Sequence, residues 1–562
     1  MNQSKRYVIG LDFGALTARG LLVDVSNGDE IAVSICGYQD AVIEQALPEN
    51  NVPLPAGFAL QNPQDFEYAL ESILKDIWRE AGIQSEQIIG IGVDFTASSM
   101  LPLDRKMVPL CYNPRFKKNP HSWVKNWKHH SAHNYAGILR KTALELNESF
   151  IHNYGDSISS QGMFPKILET FYEAPEVYRA AYRFVEAGDW IVYLLTGNLC
   201  KSNNLAGYKA FWEDDAGYPS NAFFKRIDPQ LEDIIDKKIG RNIFRNMSPA
   251  GNLCEHMAEI TGLSRNTRVA VCNIDAHSSF MGGGITDGST LMVSAGMCNC
   301  MMLVSQQKVQ NRMFTGVIKD GILPGYYGYE SCQPTVGEMF DWLIGTALTR
   351  TYMEEASKHN VDIYSVLNEK IAKMRPGESG LLVLDWWNGN GSYLRNLNLS
   401  GTIVGLTLGS TIEDIYRAMV EGTGLGCRKI VEGFEINGIS ISRICACGAI
   451  AFNSPQIMQI YADITGKPIS IAQSKQTAAL GSAMCGAVAA GVENGGYATI
   501  FDAIQNMSKP PQIVYRPNLE YREIYQRMYD EYNRVTGFFE NEGKDVMQTL
   551  KNIREDAKAR KN

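Results

Sequence analysis

Three aspartates close apolar, strand-like runs in this chain: Asp12 in IGLDFGALTAR, Asp94 in IGIGVDFTASS and Asp275 in VAVCNIDAH. A carboxylate delivered by a strand into a loop of small residues can accept a proton or hold a hard cation. In open α/β sheets ligands bind beyond the carboxyl ends of the strands, so the three could share one crevice. Each alone reads more readily as a turn or helix cap. Three in the same setting favour chemistry. The glycine turns at Asp12-Phe13-Gly14 and around Gly296 add close backbone approach and N–H donors suited to phosphate. Beyond the first turn, Thr17 carries a hydroxyl and Arg19 a cation for phosphate oxygens, while Asp12 could hold Mg²⁺ through water.

Other constellations are weaker. Cys298/Cys300 and Cys445/Cys447 are C-x-C pairs in apolar runs, where small buried hydrophobes are a better reading than a four-thiolate zinc site. In WVKNWKHHSAH, His129 and His133 stand at i, i+4 without a third ligand at zincin spacing, so a solvated or substrate-rimming helix is expected. DWWNGN reads equally as a core anchor and a ligand contact. No GxSxG occurs, and the DFG of the first run lacks the companion motifs of a protein kinase.

The elements that must position these groups follow from periodicity. RYVIGLDFG is a strand, ARGLLVDVSNGDEIAVSICGY a hairpin turning at Asn27-Gly28, and Pro63 to Ala81 an amphipathic helix. IIGIGVDFTASS is a buried strand ending at Asp94. Helical patterns cover HSWVKNWKHHSAHNYAGILRKTALEL and APEVYRAAYRFVEAGDWIVYLLTG, and the strand RVAVCNID delivers Asp275. GSTLMVSAGMCNCMMLVS then restarts the strand–turn–strand pattern, which places a domain boundary near Gly282-Gly283-Gly284. TAALGSAMCGAVAAG is rich enough in Ala and Gly to pack closely on other backbone.

With 562 residues, 45% of them hydrophobic, the chain is too long for one core. Its net charge of -8 leaves no electrostatic footprint for nucleic acid or an anionic membrane. The basic N-terminal stretch lacks a signal-peptide core because Asp12 interrupts it. The uncharged run from Gly288 to Gln307 suits strands and a turn rather than a helix in lipid. Twelve cysteines without a CxxC pair fit a reduced, cytoplasmic protein.

Taken in order, these segments resemble the FGGY carbohydrate kinases, and among them those acting on L-ribulose. PHSWVKNWKHHSAH, AGDWIVYLLTG, NLAGYKAFW, GILPGYYGYESCQ, GLLVLDWWNGN, MQIYADITG and AALGSAMCGAVAAG carry the likeness, with the three aspartate runs, from Ile9 to about Gly491. The resemblance implies an α/β fold of two actin-like (ribonuclease-H-like) domains with an interdomain active-site cleft. Residues 1–284 would hold sugar, 285–516 nucleotide, and 517–562 form a helical tail. It implies Asp275 as catalytic base. Ala97, Trp127, Lys209 and Glu330 would contact the sugar, and Asp12 would position Mg²⁺. Gly14, Thr17, Arg19, Gly296, Gly448 and Asn453 would face ATP. The implied reaction turns L-ribulose into L-ribulose 5-phosphate, and a homodimer is an allowed assembly.

The chain departs from the family where phosphate and adenine should sit. Ala15 replaces a hydroxyl residue, and Ala295-Gly296-Met297-Cys298 stands for the usual Gly-Thr-Ser-Thr. Cys332, Gly391, Ala449 and Ser454 are further changes nearby. A hydrogen bond to a charged group contributes about 1.5–3 kcal/mol, so the lost hydroxyls bear on rate. Two rivals therefore stand beside the first expectation: a sugar-binding regulatory protein with weak or no ATP turnover, and a kinase of another ketose or polyol.

Overall fold

The computed structural model describes residues 5–48, 51–347, 350–396 and 398–560, leaving residues 1–4 of the N-terminal stretch and 561–562 of the tail outside it. The first sheet begins with β1 (Tyr7–Phe13), β2 (Thr17–Asp24) and β3 (Glu30–Gly37), an antiparallel meander. β4 (Ile88–Phe95) then lies parallel to β1, followed by β5 (Pro249–Asn252), β6 (Arg268–Ala270) and β7 (Asn273–Ile274), giving the order β5-β6-β4-β1-β2-β3 with β7 also on β4. Val8, Ile9, Leu11 and Phe13 are all buried, as expected of a central strand covered on both faces.

The second sheet repeats the plan. β8 (Thr290–Ala295), β9 (Asn299–Ser305), β10 (Gly316–Lys319), β11 (Tyr327–Gln333), β12 (Arg443–Cys447), β13 (Ile469–Ile471) and β14 (Val514–Tyr515) run in the order β10-β11-β9-β8-β12-β13-β14. In both sheets an antiparallel hairpin is followed by a parallel strand on the far side of the first, so each presents a hairpin turn and a strand end at one edge.

Helix α1 (Pro63–Glu80) starts where Asn62 caps the Gln64 amide and Pro63 pre-sets the first turn. Its stripe of Phe66, Leu70, Ile73, Leu74 and Ile77 is buried against β2 and β3. Helix α2 spans Met163–Glu173 and α3 spans Asp275–Gly282. Helix α4 (Thr477–Ala490), late in the chain, returns to cover β1 and β4 and crosses α3. Glycine permits that approach. A Cβ on Gly10 would lie 1.8 Å from the Ala479 carbonyl oxygen, on Gly92 1.7 Å from that of Ser482, and on Gly481 1.9 Å from that of Ser278. Gly92→Ala must push helix from sheet and is expected to lower stability by at least about 1–3 kcal/mol. A urea midpoint unchanged at constant m would contradict this.

The C-terminal helices Arg522–Glu540 and Val546–Ala559 follow the second sheet, and Tyr525, Tyr529 and Tyr532 are buried in its core. No helix among the described residues is long and apolar enough to cross a membrane.

Three sequence expectations change. β4 runs one residue past Asp94, to Phe95. After a single 3-10 turn at Pro120–Ser122 the stretch from 123 to 132 is not helical: Val124–Lys125 is a short strand between Leu60–Gln61 and Met100–Leu103. The helix there begins only at His133, so His129 and His133 do not share a helix face. Arg183–Glu186, expected as helix, is a strand paired with Met100–Leu103. In both cases cross-strand pairing, invisible to local periodicity, overrides helix propensity.

Candidate active site

The three aspartates meet at one edge of the first sheet. Asp12 and Asp94 are register partners on β1 and β4, Asp94 is level with Asn273 of β7, and Asp275 opens α3 directly beyond β7. Arg19 lies opposite Asp12 across the hairpin. Burial raises the Asp12 carboxyl, opposed by hydrogen bonding to Asp94 and by Arg19. Asp94 is raised well above the usual range by burial and by Asp12, and its Oδ2 accepts from Ser482 of α4. Asp275 is raised to about 7 by burial and then by the Asp12 charge. Its Oδ1 accepts from the Ala276 amide at 2.7 Å and its Oδ2 lies 3.3 Å from the Thr96 hydroxyl. A carboxyl near 7 is matched to general-base work at neutral pH.

Beside it sits a polar cluster drawn from two helices and one strand of the second sheet. Lys209, ending the helix Asn203–Lys209, is 3.2 Å from Glu330 of β11, and His277 Nε2 is 2.9 Å from the same carboxylate. Asn204 fixes the imidazole: its Oδ1 accepts from the Ile274 amide, so its Nδ2 donates to His277 Nδ1 at 2.8 Å. His277 Nε2 therefore carries the proton, close to Glu330 but not aligned on it for a hydrogen bond. Burial would raise Glu330, but Lys209 and His277 outweigh it and hold the carboxyl at about 2. Lys209 is raised because Glu330 outweighs its own burial. The pair is ionised and has donors to offer a hydroxylated ligand.

The remaining expected site residues are spread over both halves of the chain. Ala97 is buried in the loop after β4, and Trp127 is half-buried, with the Lys128 ammonium 5.3 Å from its ring centre. Gly14 donates to the Thr17 carbonyl at 3.0 Å, closing the first turn, and Thr17 starts β2. In the second sheet the Gly296 amide donates to the Cys298 carbonyl at 3.0 Å. Gly448, at φ 90°, lies so close that a Cβ would stand 2.5 Å from the Ala295 carbonyl oxygen. Asn453 is exposed at the end of the short helix Ala449–Asn453. The hairpin turn and the loop expected at adenine are thus neighbours. The four C-x-C cysteines form no metal-holding group among the described residues, although Cys298 and Cys300 sulfurs are 3.8 Å apart.

Several contributors carried no sequence signal. Lys128 pairs with Glu338 at 3.1 Å, joining the two halves of the chain, and Glu338 also accepts from Asn388. His129 is buried 2.7 Å from Glu169 of α2, not solvated. Lys166 and Glu186 lie buried beneath the loop after β4. Their partners are tens of residues away, beyond any local pattern.

Oxygen donors around Asp12 suit a hard divalent cation, and two buried polar atoms, Arg19 Nε and Asp94 Oδ1, stand without partners nearby. Two sheets of the same plan, one carrying the three aspartates at its edge and the other contributing Glu330 to the Lys209 pair, have the two-domain actin-like architecture. The comparisons resolve this further. Residues 291–490 match the C-terminal domain of the FGGY family of carbohydrate kinases. A ribulokinase from Geobacillus thermodenitrificans is 42% identical over 557 residues, covering 99% of each chain. One from Staphylococcus aureus is 35% identical over 548 residues, covering 98% of this chain and 99% of its own. Among solved structures, a ligand-bound xylulose kinase from Lactobacillus acidophilus has the same fold at TM-score 0.78 and 16% identity, covering 95% of this chain and 99% of its own. The chain belongs to the FGGY family of carbohydrate kinases and is ribulokinase-like along its length.

Proposed function

We propose that the protein is a cytoplasmic, ATP- and Mg²⁺-dependent kinase that phosphorylates the terminal hydroxyl of L-ribulose. The observation that supports it most is Asp275, poised near neutrality at a strand end beside the Lys209–Glu330 pair. In this reading residues 1–284 hold the sugar and 285–516 the nucleotide. Lys209, Glu330 and the backbone at Ala97 orient the sugar, with Trp127 as a wall. Asp275 accepts the hydroxyl proton as the sugar oxygen bonds to the γ-phosphorus and the bond to the bridging oxygen of ADP breaks. Arg19, Thr17 and the amides at Gly14 and Gly296 neutralise phosphate oxygens. Bound at Asp12, Mg²⁺ would supply charge neutralisation to the transferring group. Gly448 and Asn453 would border adenine.

A coupled ADP-release assay over a panel of ketopentoses and pentitols tests the proposal. The highest kcat/KM is expected with L-ribulose. No turnover above an Asp275→Asn control on any sugar would overturn it, and a higher kcat/KM on another ketose or polyol would move the substrate alone. The full-length likeness to ribulokinases weighs against a sugar-binding protein without turnover.

The altered turn gives a direct check on how phosphate is held. A Cβ at Gly296 meets only the Cys298 carbonyl oxygen, at 3.9 Å, and Met297 is exposed. The site has room for a Cβ, and Gly296→Thr with Met297→Ser is expected to raise kcat about tenfold, within the worth of one charge-assisted hydrogen bond. A kcat unchanged or lowered would show that this turn does not reach the phosphates.

A further inference from the structure

We propose that Lys166 and Glu186 are positioning residues that grip a single peptide unit, Ser98–Ser99, and thereby set the sugar-side loop against Asp275. This rests on the proposed placing of Ala97 at the sugar. The two halves of that peptide are held by a buried amine and a buried carboxyl. Lys166 Nζ donates to the Ser98 carbonyl at 2.5 Å, and Glu186 Oε2 accepts from the Ser99 amide at 2.9 Å. Both side chains are buried, Lys166 completely, and the other oxygen of Glu186 has no partner. A buried amine and carboxyl, each only partly offsetting the other's burial, are rarely retained without a task.

The gripped residue is strained. Ser98 has φ 66°, a left-handed conformation that serine seldom adopts and that persists only where neighbours over-determine it. The grip also extends outward in both directions. The Ser99 hydroxyl donates to the Thr96 carbonyl at 2.8 Å, and the Thr96 hydroxyl lies 3.1 Å from the Phe13 carbonyl and 3.3 Å from Asp275. The Lys166 ammonium further holds the carbonyls of Lys125 at 3.2 Å and Asn126 at 2.8 Å, the two residues leading into Trp127. One ammonium thus ties together the loop carrying Ala97 and the loop carrying Trp127.

A residue serving only the core would change stability without separating the two substrates. The test therefore compares KM values in the full chain for Lys166→Met, Glu186→Leu and Glu186→Gln, together with hydrogen exchange at the Ser99 amide. Lys166→Met is expected to raise the L-ribulose KM at least about tenfold and the MgATP KM by less than about twofold. Glu186→Gln, which keeps an acceptor for Ser99, should raise the sugar KM less than Glu186→Leu does. An unchanged sugar KM in Lys166→Met and Glu186→Leu, or parallel rises in both KM values, overturns the proposal. Should the variants fail to fold, exchange in the unaltered protein decides. Protection of the Ser99 amide matching the core supports the grip, and exchange as fast as exposed loops overturns it. An unaltered protein that turns over no L-ribulose would defeat the proposed function, while Ser99 protection would still report on the grip.

Discussion

Asp275→Asn is expected to lower kcat by about 10²–10⁴, the usual worth of a positioned general base. Asparagine keeps the shape, and its carbonyl can still accept from the Ala276 amide. What disappears is the capacity to take a proton, so KM values for sugar and MgATP should move little. In free-energy terms the loss is about 3–5 kcal/mol of transition-state stabilisation. A kcat within about tenfold of the parent would mean that another group, or water, receives the proton. The pH profile gives a second reading of the same carboxyl. Only the ionised form works, and the folded protein holds it near 7. Activity should therefore fall about tenfold per unit of pH below an inflection at or under that value, because Mg²⁺ beside Asp12 would pull it down. A profile flat across that range would contradict the assignment. Stability runs the other way: a carboxyl raised by folding favours the folded state at low pH and loses that advantage as pH climbs from about 4 toward 7. Asp275→Asn should consequently raise the melting temperature of the ligand-free protein at alkaline pH.

Lys209→Met is expected to raise KM for the sugar by about 10–100-fold, since charge-assisted hydrogen bonds contribute about 1.5–3 kcal/mol each. The ammonium has a dual task. In the proposed function it would contact the sugar, and it also keeps Glu330 ionised by outweighing that residue's burial. Methionine fills the stem's volume but leaves Glu330 with His277 as its remaining partner, so the Glu330 carboxyl should move up. Lys209→Met with Glu330→Gln separates the two tasks. If the double variant recovers stability but not sugar affinity, Lys209 contacts sugar directly. If it recovers both, the lysine acts only through Glu330. The check is sugar titration by calorimetry beside thermal unfolding. Unchanged sugar affinity in the single variant would remove Lys209 from the pocket.

The placing of the three aspartates at strand ends was legible from the residues alone. Asp12 and Asp94 sit in apolar runs that form buried strands, while the run before Asp275 breaks into β6 and β7 and still delivers it to the same sheet edge. Pro63 announced α1, and the small residues of TAALGSAMCGAVAAG announced close packing, although not that the helix would return to the first sheet. What stayed hidden depends on distance along the chain. Lys166 in α2 looks like any helical lysine, because its Ser98 partner is 68 residues away. Arg183–Glu186 is a strand only because Met100–Leu103 offers it a neighbour. His129 looked solvated because nothing local announces Glu169.

Helix α4 carries a consequence for biogenesis. On the ribosome, β1 and β4 are made within the first hundred residues, yet the helix that roofs them is translated only after nearly four hundred more. Throughout that interval the notches at Gly10, Gly90 and Gly92 and the apolar face around them have no native cover. Nascent chains should therefore depend on chaperone shielding until late in elongation, and fragments ending before Thr477 should aggregate rather than persist as a free amino-terminal lobe.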